Sequence, residues 1–266
     1  MRKGPSPIPG WTVEKLLKAD LFSKIELGRA PELGDRPVVR RDIGHSRWWV
    51  RPLALWLGRN EGKALKRLGM VDWAPALLSD SGGDLYRAWI EGHPMWDAQP
   101  RDPAYYAQAF RLLRKIHRMN IAHNDLAKEP NWLVRPDGSP ALIDFQIAST
   151  HKARGWWFRT LAREDLRHLL KHKRKYCPEA MTAREWAIVK SPSPASRLWR
   201  KYYKGPYLFI TRKILHWSDR EGAHDRSFVE AEAQGKAARR QFDEGTASQA
   251  GDNAPAKTPA KTPDRT

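Results

Sequence analysis

The chain has 266 residues, 41% of them apolar, and 48 Lys/Arg against 30 Asp/Glu give it a net charge of +18. That balance suits one large domain or two lobes around a packed core and excludes a wholly disordered chain. No apolar run approaches the ~20 residues that span a bilayer, and the opening MRKGPSPIPGW has two basic residues but no apolar h-region, so neither a transmembrane helix nor a signal peptide is expected.

Residues 1–10 are rich in Pro and Gly and read as loose. Thr12 is placed to cap a short helix over 13–18. From 21 to 43 the pattern is β: FSKIEL, a turn broken by Gly28, Pro31 and Gly34, then a strand over 37–41. Residues 53–68 read as a helix, with Leu57, Glu61, Ala64, Leu65 and Leu68 at 3/4 spacing and Gly69 as its stop. Two more strands, 73–78 and 85–90, flank a Ser81-Gly82-Gly83-Asp84 turn, and Glu91-Gly92-His93-Pro94 reads as a connector. Asp102-Pro103 starts a helix over 103–119, with Tyr106, Ala109, Leu113, Ile116 and His117 on one stripe and Asn120 suited to its left-handed close. A polar loop with His123, Asp125 and Asn131 follows. Then come strands 132–134 and 141–143 around an Arg135-Pro136-Asp137-Gly138-Ser139-Pro140 turn, with Asp144 at the end of the second. Helices are expected over 164–175, 182–189 and 196–203, an apolar and basic segment over 205–217, and a low-complexity, disordered stretch from about 245.

The charge is uneven: 151–221 carries 18 Lys/Arg and 6 Asp/Glu, whereas 222–266 carries 7 of each. A basic face attracts phosphate-rich partners such as nucleic acid, an anionic membrane or a phosphorylated glycolipid, and a solvated helical surface gives the same composition. The 13 tryptophans often neighbour arginine, as in Arg47-Trp48-Trp49; such residues serve a core, base stacking or a lipid interface. No nucleic-acid motif accompanies them, which makes nucleic acid the weaker partner. Peripheral contact with a membrane is expected of the basic second half and of 205–217. Cys177, the single cysteine, excludes an intrachain disulfide and fits a reducing cytoplasm; nothing near it supplies a base, so it is not read as a nucleophile.

The chemistry concentrates in 116–148. Two carboxylates, Asp125 and Asp144, and the carboxamide of Asn131 are returned to one place by a single hairpin, a set of hard oxygen donors suited to a divalent cation beside a nucleotide phosphate. At these residues the chain resembles the protein-kinase-like phosphotransferases. His123-Asn124-Asp125-Leu126 is similar to the H-R-D-L catalytic loop, Asn131 to its metal-binding Asn, and Asp144-Phe145-Gln146 to D-F-G. Val38-Val39-Arg40-Arg41-Asp42 resembles the third strand, whose lysine position holds Arg41 (Arg40 if the register shifts by one). Glu61 resembles its glutamate partner, and the stretch of Trp89 and Glu91 resembles the hinge that holds adenine. Arg41-Asp42, Ser46-Arg47-Trp48-Trp49, Trp89-Ile90-Glu91-Gly92 and Glu164-Asp165-Leu166-Arg167 also resemble bacterial lipopolysaccharide-core kinases acting on Kdo or heptose sugars.

The resemblance covers roughly 20–175. It implies an α+β, bilobal protein-kinase-like fold: an extension over 1–19, a β-rich N-lobe over 20–92, a helical C-lobe over 93–221 and a polar, largely disordered tail over 222–266. It also implies an ATP- and Mg²⁺-dependent kinase of the cytoplasm or inner-membrane surface, acting on a hydroxyl of a core sugar or a Ser/Thr side chain. Asp125 would be the base, with Asn131 and Asp144 on the metal. His123 is given a structural role. Four departures leave a catalytically impaired pseudokinase as the alternative. G-x-G-x-x-G is missing, with Gly28 and Gly34 as a partial substitute. Arginine stands for lysine. Six residues rather than five separate Asp125 from Asn131. Gln146 replaces a glycine. Arg154, Arg159 and Arg163 are read either as contacts for an acidic acceptor or as plain surface charge.

Overall fold

In the computed structural model, which describes residues 8–81 and 83–191, the first part of the chain builds a five-stranded antiparallel sheet. Its strands are β1 (Thr12–Ala19), β2 (Lys24–Arg29), β3 (Val38–Asp42), β4 (Leu77–Asp80) and β5 (Asp84–Ala88), in the order β1-β2-β3-β5-β4. Between β3 and β4 the chain forms helix α1 (Arg51–Leu68). The protein is therefore α+β.

Residues 13–18 are strand, not the helix that Thr12 suggests. All eight residues of β1 are exposed, so Val13, Leu16 and Leu17, which a helix would align on one face, meet no core there. A helix of that length is marginal without packing, whereas the ladder to β2 satisfies the backbone from Thr12↔Arg29 to Ala19↔Lys24. Two irregularities in that ladder and the charges of Glu14, Lys15 and Lys18 mark a protected sheet edge. Gly28 is required at the pairing: a Cβ there would lie 2.2 Å from the Thr12 carbonyl oxygen.

Helix α1 starts at Pro52 in its first turn and buries Ala54, Gly58, Glu61, Ala64, Leu65 and Leu68, the 3/4 stripe expected from 53–68. Gly69 ends it at φ 69°, its N–H donating to the Leu65 carbonyl. Of 73–78, only Leu77 and Leu78 join β4. The preceding residues bridge instead: the Trp73 carbonyl accepts from the Leu142 N–H at 2.9 Å and the Ala76 carbonyl from the Ala88 N–H.

The connector forms β6 (His93–Pro94) and a single-turn helix α2 (Met95–Ala98). Helix α3 (Pro103–Arg118) begins as Asp102-Pro103 predicts, the Asp102 carboxylate accepting from the Ala104 N–H, and Asn120 closes it at φ 54°. Strand β7 (Ile121–Ala122) precedes the polar loop. Strands β8 (Trp132–Val134) and β9 (Pro140–Leu142) form the hairpin beside β6, and β10 (Ser149–Thr150) pairs with β7. Helix α4 (Trp156–Tyr176) starts eight residues earlier than the charge pattern suggests, and α5 (Ala183–Lys190) follows a Thr182/Glu185 capping box.

One buried cluster joins Ala64, Leu65 and Leu68 of α1 and Leu85 of β5 to Tyr106, Leu113 and Ile116 of α3, Trp132 of β8 and Leu169 of α4. The described residues belong to one compact unit, and none of its helices is long and apolar enough to cross a membrane. The expected helix 196–203, the segment 205–217 and the tail lie outside the described residues.

Candidate active site

The polar loop is anchored from α4. Asp165, buried at 1% exposure, accepts from the backbone N–H of His123 (2.8 Å) and of Asn124 (2.9 Å), and His117 Nε2 lies 3.1 Å from its carboxylate. Asn124 takes the left-handed conformation, φ 67°, and its amide donates to the Ile147 carbonyl and Ser149 Oγ. His123 is a packing residue, as expected: it is buried, its Nε2 donates to the Ile143 carbonyl, and it packs on Phe145.

The step from Asp125 to Asn131 closes with a 3-10 turn over Glu129–Asn131. Glu129 fastens that turn to α4. It accepts from Lys175 Nζ (2.6 Å) and from the Tyr176 hydroxyl, while His172 donates to the Leu126 carbonyl at 2.8 Å. The turn presents Asn131 to Asp125: its Nδ2 donates to the Asp125 carbonyl (2.9 Å) and to Asp125 Oδ2 (3.0 Å). The side-chain oxygen of Asn131, Oδ1, is then the atom that can turn to a cation. Lys128 Nζ lies 3.1 Å from Asp125 Oδ2, a contact the sequence reading did not single out.

The hairpin brings Asp144 to the same place. Trp132 pairs with Leu142, and one residue further on the Ile143 N–H donates to the Asn131 carbonyl (3.1 Å). Asp144 follows at φ 66°, a strained conformation for a residue with a side chain. Gln146 donates from Nε2 to Asp144 Oδ1 at 2.6 Å.

Arg41 and Glu61 complete the set from the sheet side. Strand alternation sends Arg41 toward α1 and Arg40 to the opposite face. Arg40 is held there by both oxygens of Asp84 (3.0 and 3.1 Å) and by Glu26 (3.2 Å). Arg41 Nε lies 3.0 Å from Glu61 Oε2, a charge contact without hydrogen-bond alignment, and Arg41 Nη2 lies 3.9 Å from Asp144 Oδ1. The guanidinium fork thus spans Glu61 and Asp144, a reach that a lysine point charge lacks. Arg87 of β5 also pairs with the fully buried Glu61. Arg87 lies opposite Val39 in the ladder, on the Arg41 face. It belongs to no motif, and only its spacing of two from Leu85 marks it in the sequence.

The two carboxylates are driven apart in proton affinity. Burial raises the pKa of Asp125, and the neighbouring Asp144 charge adds to the rise, against Lys128. Burial also pushes Asp144 upward, but Arg41, Arg87 and the Gln146 hydrogen bond outweigh it, and its pKa is lowered. Such a split separates a proton acceptor from a permanent anion. Among the described residues, no group of three or more His, Cys, Asp or Glu side chains could hold a metal ion. Asn131 and Asp144 alone suit Mg²⁺, which takes one or two protein oxygens and completes its shell with phosphate and water.

The remaining expected residues are placed differently. Trp89 and Glu91 are exposed and line a cleft of about 290 Å³ with Asp72, Ile90, Arg135, Pro136 and Asp137, whose walls include none of Asp125, Asn131, Asp144 and Arg41. The Trp89 N–H donates to the Pro37 carbonyl, so it is not a donor for a base. Gly28 and Gly34 do not form a phosphate loop. Gly28 is within β2 and Gly34 ends a 3-10 turn over Pro31–Leu33. The β1–β2 turn is Asp20-Leu21-Phe22-Ser23, where the Asp20 carboxylate accepts from the Phe22 and Ser23 N–H groups at 2.9 Å. Arg154 caps α3, donating to Asn120 Oδ1 and the His117 carbonyl.

No protein-family model matches this chain, and no curated protein matches it.

Proposed function

We propose that the chain is a protein-kinase-like phosphotransferase that moves the γ-phosphoryl group of ATP to a hydroxyl of a lipopolysaccharide-core sugar or a Ser/Thr side chain. The observation that carries this reading is the convergence of Asp125, Asn131 and Asp144 beside the Arg41–Glu61 contact, with the two carboxylates split in pKa. A strand-borne cation paired with a helical glutamate, a loop Asp and Asn, and an Asp after a hairpin are the parts that phosphoryl transfer uses. The bilobal arrangement belongs to this proposal, supported by an antiparallel sheet with one helix preceding a helical second part.

In this reading Asp125 orients the acceptor hydroxyl and takes its proton, since its raised pKa makes it the better base. Lys128 holds the ionised form of Asp125 in place. Asn131 and Asp144 would offer oxygens to Mg²⁺, and Arg41, paired with Glu61, would supply positive charge for the nucleotide phosphates. Bound Mg²⁺–ATP would supply the phosphoryl group and the charge neutralisation of its transfer. Purified protein incubated with labelled ATP and Mg²⁺ against core glycolipids and proteins should transfer label. Asp144→Ala should abolish transfer, and Asp125→Ala should lower it by at least about 100-fold. Transfer unchanged in Asp144→Ala overturns the assignment.

A second reading, a pseudokinase acting as a binding module, is favoured by the β1–β2 turn, whose N–H groups are taken by the chain's own Asp20. Thermal-shift titration with ATP, with and without Mg²⁺, separates the two. No shift in either condition supports the binding module, and transfer rules it out.

A further inference from the structure

Helix α1 has two unlike faces. The inner one carries its single acidic side chain, Glu61, which is fully buried against Arg41 and Arg87. The outer one divides along its length. Its first turns, with the residues just before them, present Trp48 (85% exposed), Trp49 (42%), Leu53 (48%) and Trp56 (52%). Its later turns present Arg59, Lys63, Lys66 and Arg67, all exposed. Leu53, Trp56, Arg59, Lys63 and Lys66 recur every three or four residues, so they form one stripe.

Four large apolar side chains in water at one end, and four cations at the other with the exposed Met70 just past them, suit a partner that is apolar and anionic by turns. We propose that the outer face of α1 docks on the surface of an anionic phospholipid bilayer, with the tryptophans and Leu53 entering the headgroup–acyl boundary and the cations lying on the phosphates. Tryptophan favours that boundary. Basic side chains are drawn to anionic headgroups while their alkyl stems cover the apolar border. The helix is ~27 Å long at 1.5 Å per residue, so the apolar and basic ends contact the surface as separate patches and tilt the N-terminal end inward. Single-stranded nucleic acid fits this face less well: bases stack on aromatic rings and gain little from Leu53 and Pro52, which sit among the tryptophans. Docking leaves Glu61 on the inner side, so the surface contact and the Arg41–Glu61 pair share one rigid helix.

The full chain is to be sedimented with vesicles of phosphatidylcholine, with and without phosphatidylglycerol, at low and high salt. Binding is expected to the phosphatidylglycerol vesicles and to weaken with salt. Replacing Arg59 and Lys63 by Ser should weaken it by about 25-fold, at roughly fivefold for each cation near the surface. Replacing Leu53 and Trp56 by Ser should weaken it by at least about tenfold. These positions are exposed, so the thermal midpoint should not change. Trp156→Ser/Trp157→Ser, at another exposed aromatic pair, is the control and should bind as the unaltered chain does. The proposal is overturned if the unaltered chain ignores anionic vesicles, if the α1 variants bind undiminished, or if only the Trp156/Trp157 control loses binding. It is equally overturned if the α1 substitutions abolish binding to a single-stranded oligonucleotide while leaving vesicle binding intact. None of these readouts depends on phosphate transfer.

Discussion

Asp125 and Asp144 lie on either side of Asn131 with opposite tendencies, and the difference traces to which cation each one faces. Asp144 looks toward Arg41 and Arg87 of the sheet, Asp125 toward the single ammonium of Lys128. A base must be ionised to accept a proton, so transfer should fall as pH drops through the raised pKa of Asp125. Lys128→Ala removes the group that favours the ionised form. It should therefore move the acid limb of the kcat/KM profile to higher pH, and a limb that stays in place would mean that Asp125 is not the titrating base. Arg87 makes a different test. Glu61 is fully buried and faces two guanidinium groups, and removing one partner of a buried pair costs about 3–5 kcal/mol. Arg87→Met should lower stability by that amount in urea unfolding, and Arg87→Met combined with Glu61→Gln should cost less than the two single changes together. Neither Lys128 nor Arg87 was legible in the chain as a site residue. A motif names the residues that touch the reacting groups, whereas these two act on those residues across a loop and a sheet, and only folding shows whom they face.

At the scale of elements, legibility followed the source of each element's stability. The helix over 53–68 and the one after Asp102-Pro103 are held by a buried stripe and a cap, both of which leave local spacing in the sequence. Strand β1 is held by its ladder to β2, a non-local cause, and its exposed Thr-Val-Glu-Lys reads equally well as a helix. The polar loop lies between these cases. Its Asp and Asn were legible, but the 3-10 turn between them depends on Glu129 meeting Lys175 and Tyr176, more than forty positions away. Its other anchor is Asp165, which ties α4 to the loop backbone. Asp165→Ala leaves the His123 and Asn124 N–H groups without their acceptor and should destabilise by about 3 kcal/mol. Asp165→Asn, which keeps one carbonyl acceptor, should cost less. Amide exchange at 123 and 124 should accelerate in Asp165→Ala; unchanged protection there would show that the loop is held by other contacts.

Across the described residues the candidate site lies where the sheet meets the helices, and one buried cluster spans both. Leu65 of α1 and Leu85 of β5 belong to the same buried cluster as Leu113 of α3, Trp132 of β8 and Leu169 of α4. Hydrogen bonds reinforce the join, since the Leu142 N–H of β9 donates to the Trp73 carbonyl beside the sheet, and the Arg67 side chain of α1 donates from Nη1 to the His151 carbonyl beyond β10. Arg41 and Glu61 reach Asp144 across this join, so their geometry persists only while both parts are folded together. A shared core of this kind couples its elements in one cooperative transition. Leu65→Ala on the sheet side and Leu169→Ala on the helical side each remove a buried side chain at a cost of about 2–5 kcal/mol. Each should move the midpoint of a single urea transition, with circular dichroism and tryptophan fluorescence coinciding in both variants. If Leu65→Ala instead splits the transition, the sheet part releasing first while the α3–α4 signal holds, the sheet and the helices are separate folding units, and the reach of Arg41 to Asp144 would have to be sustained by bound ligand rather than by the core.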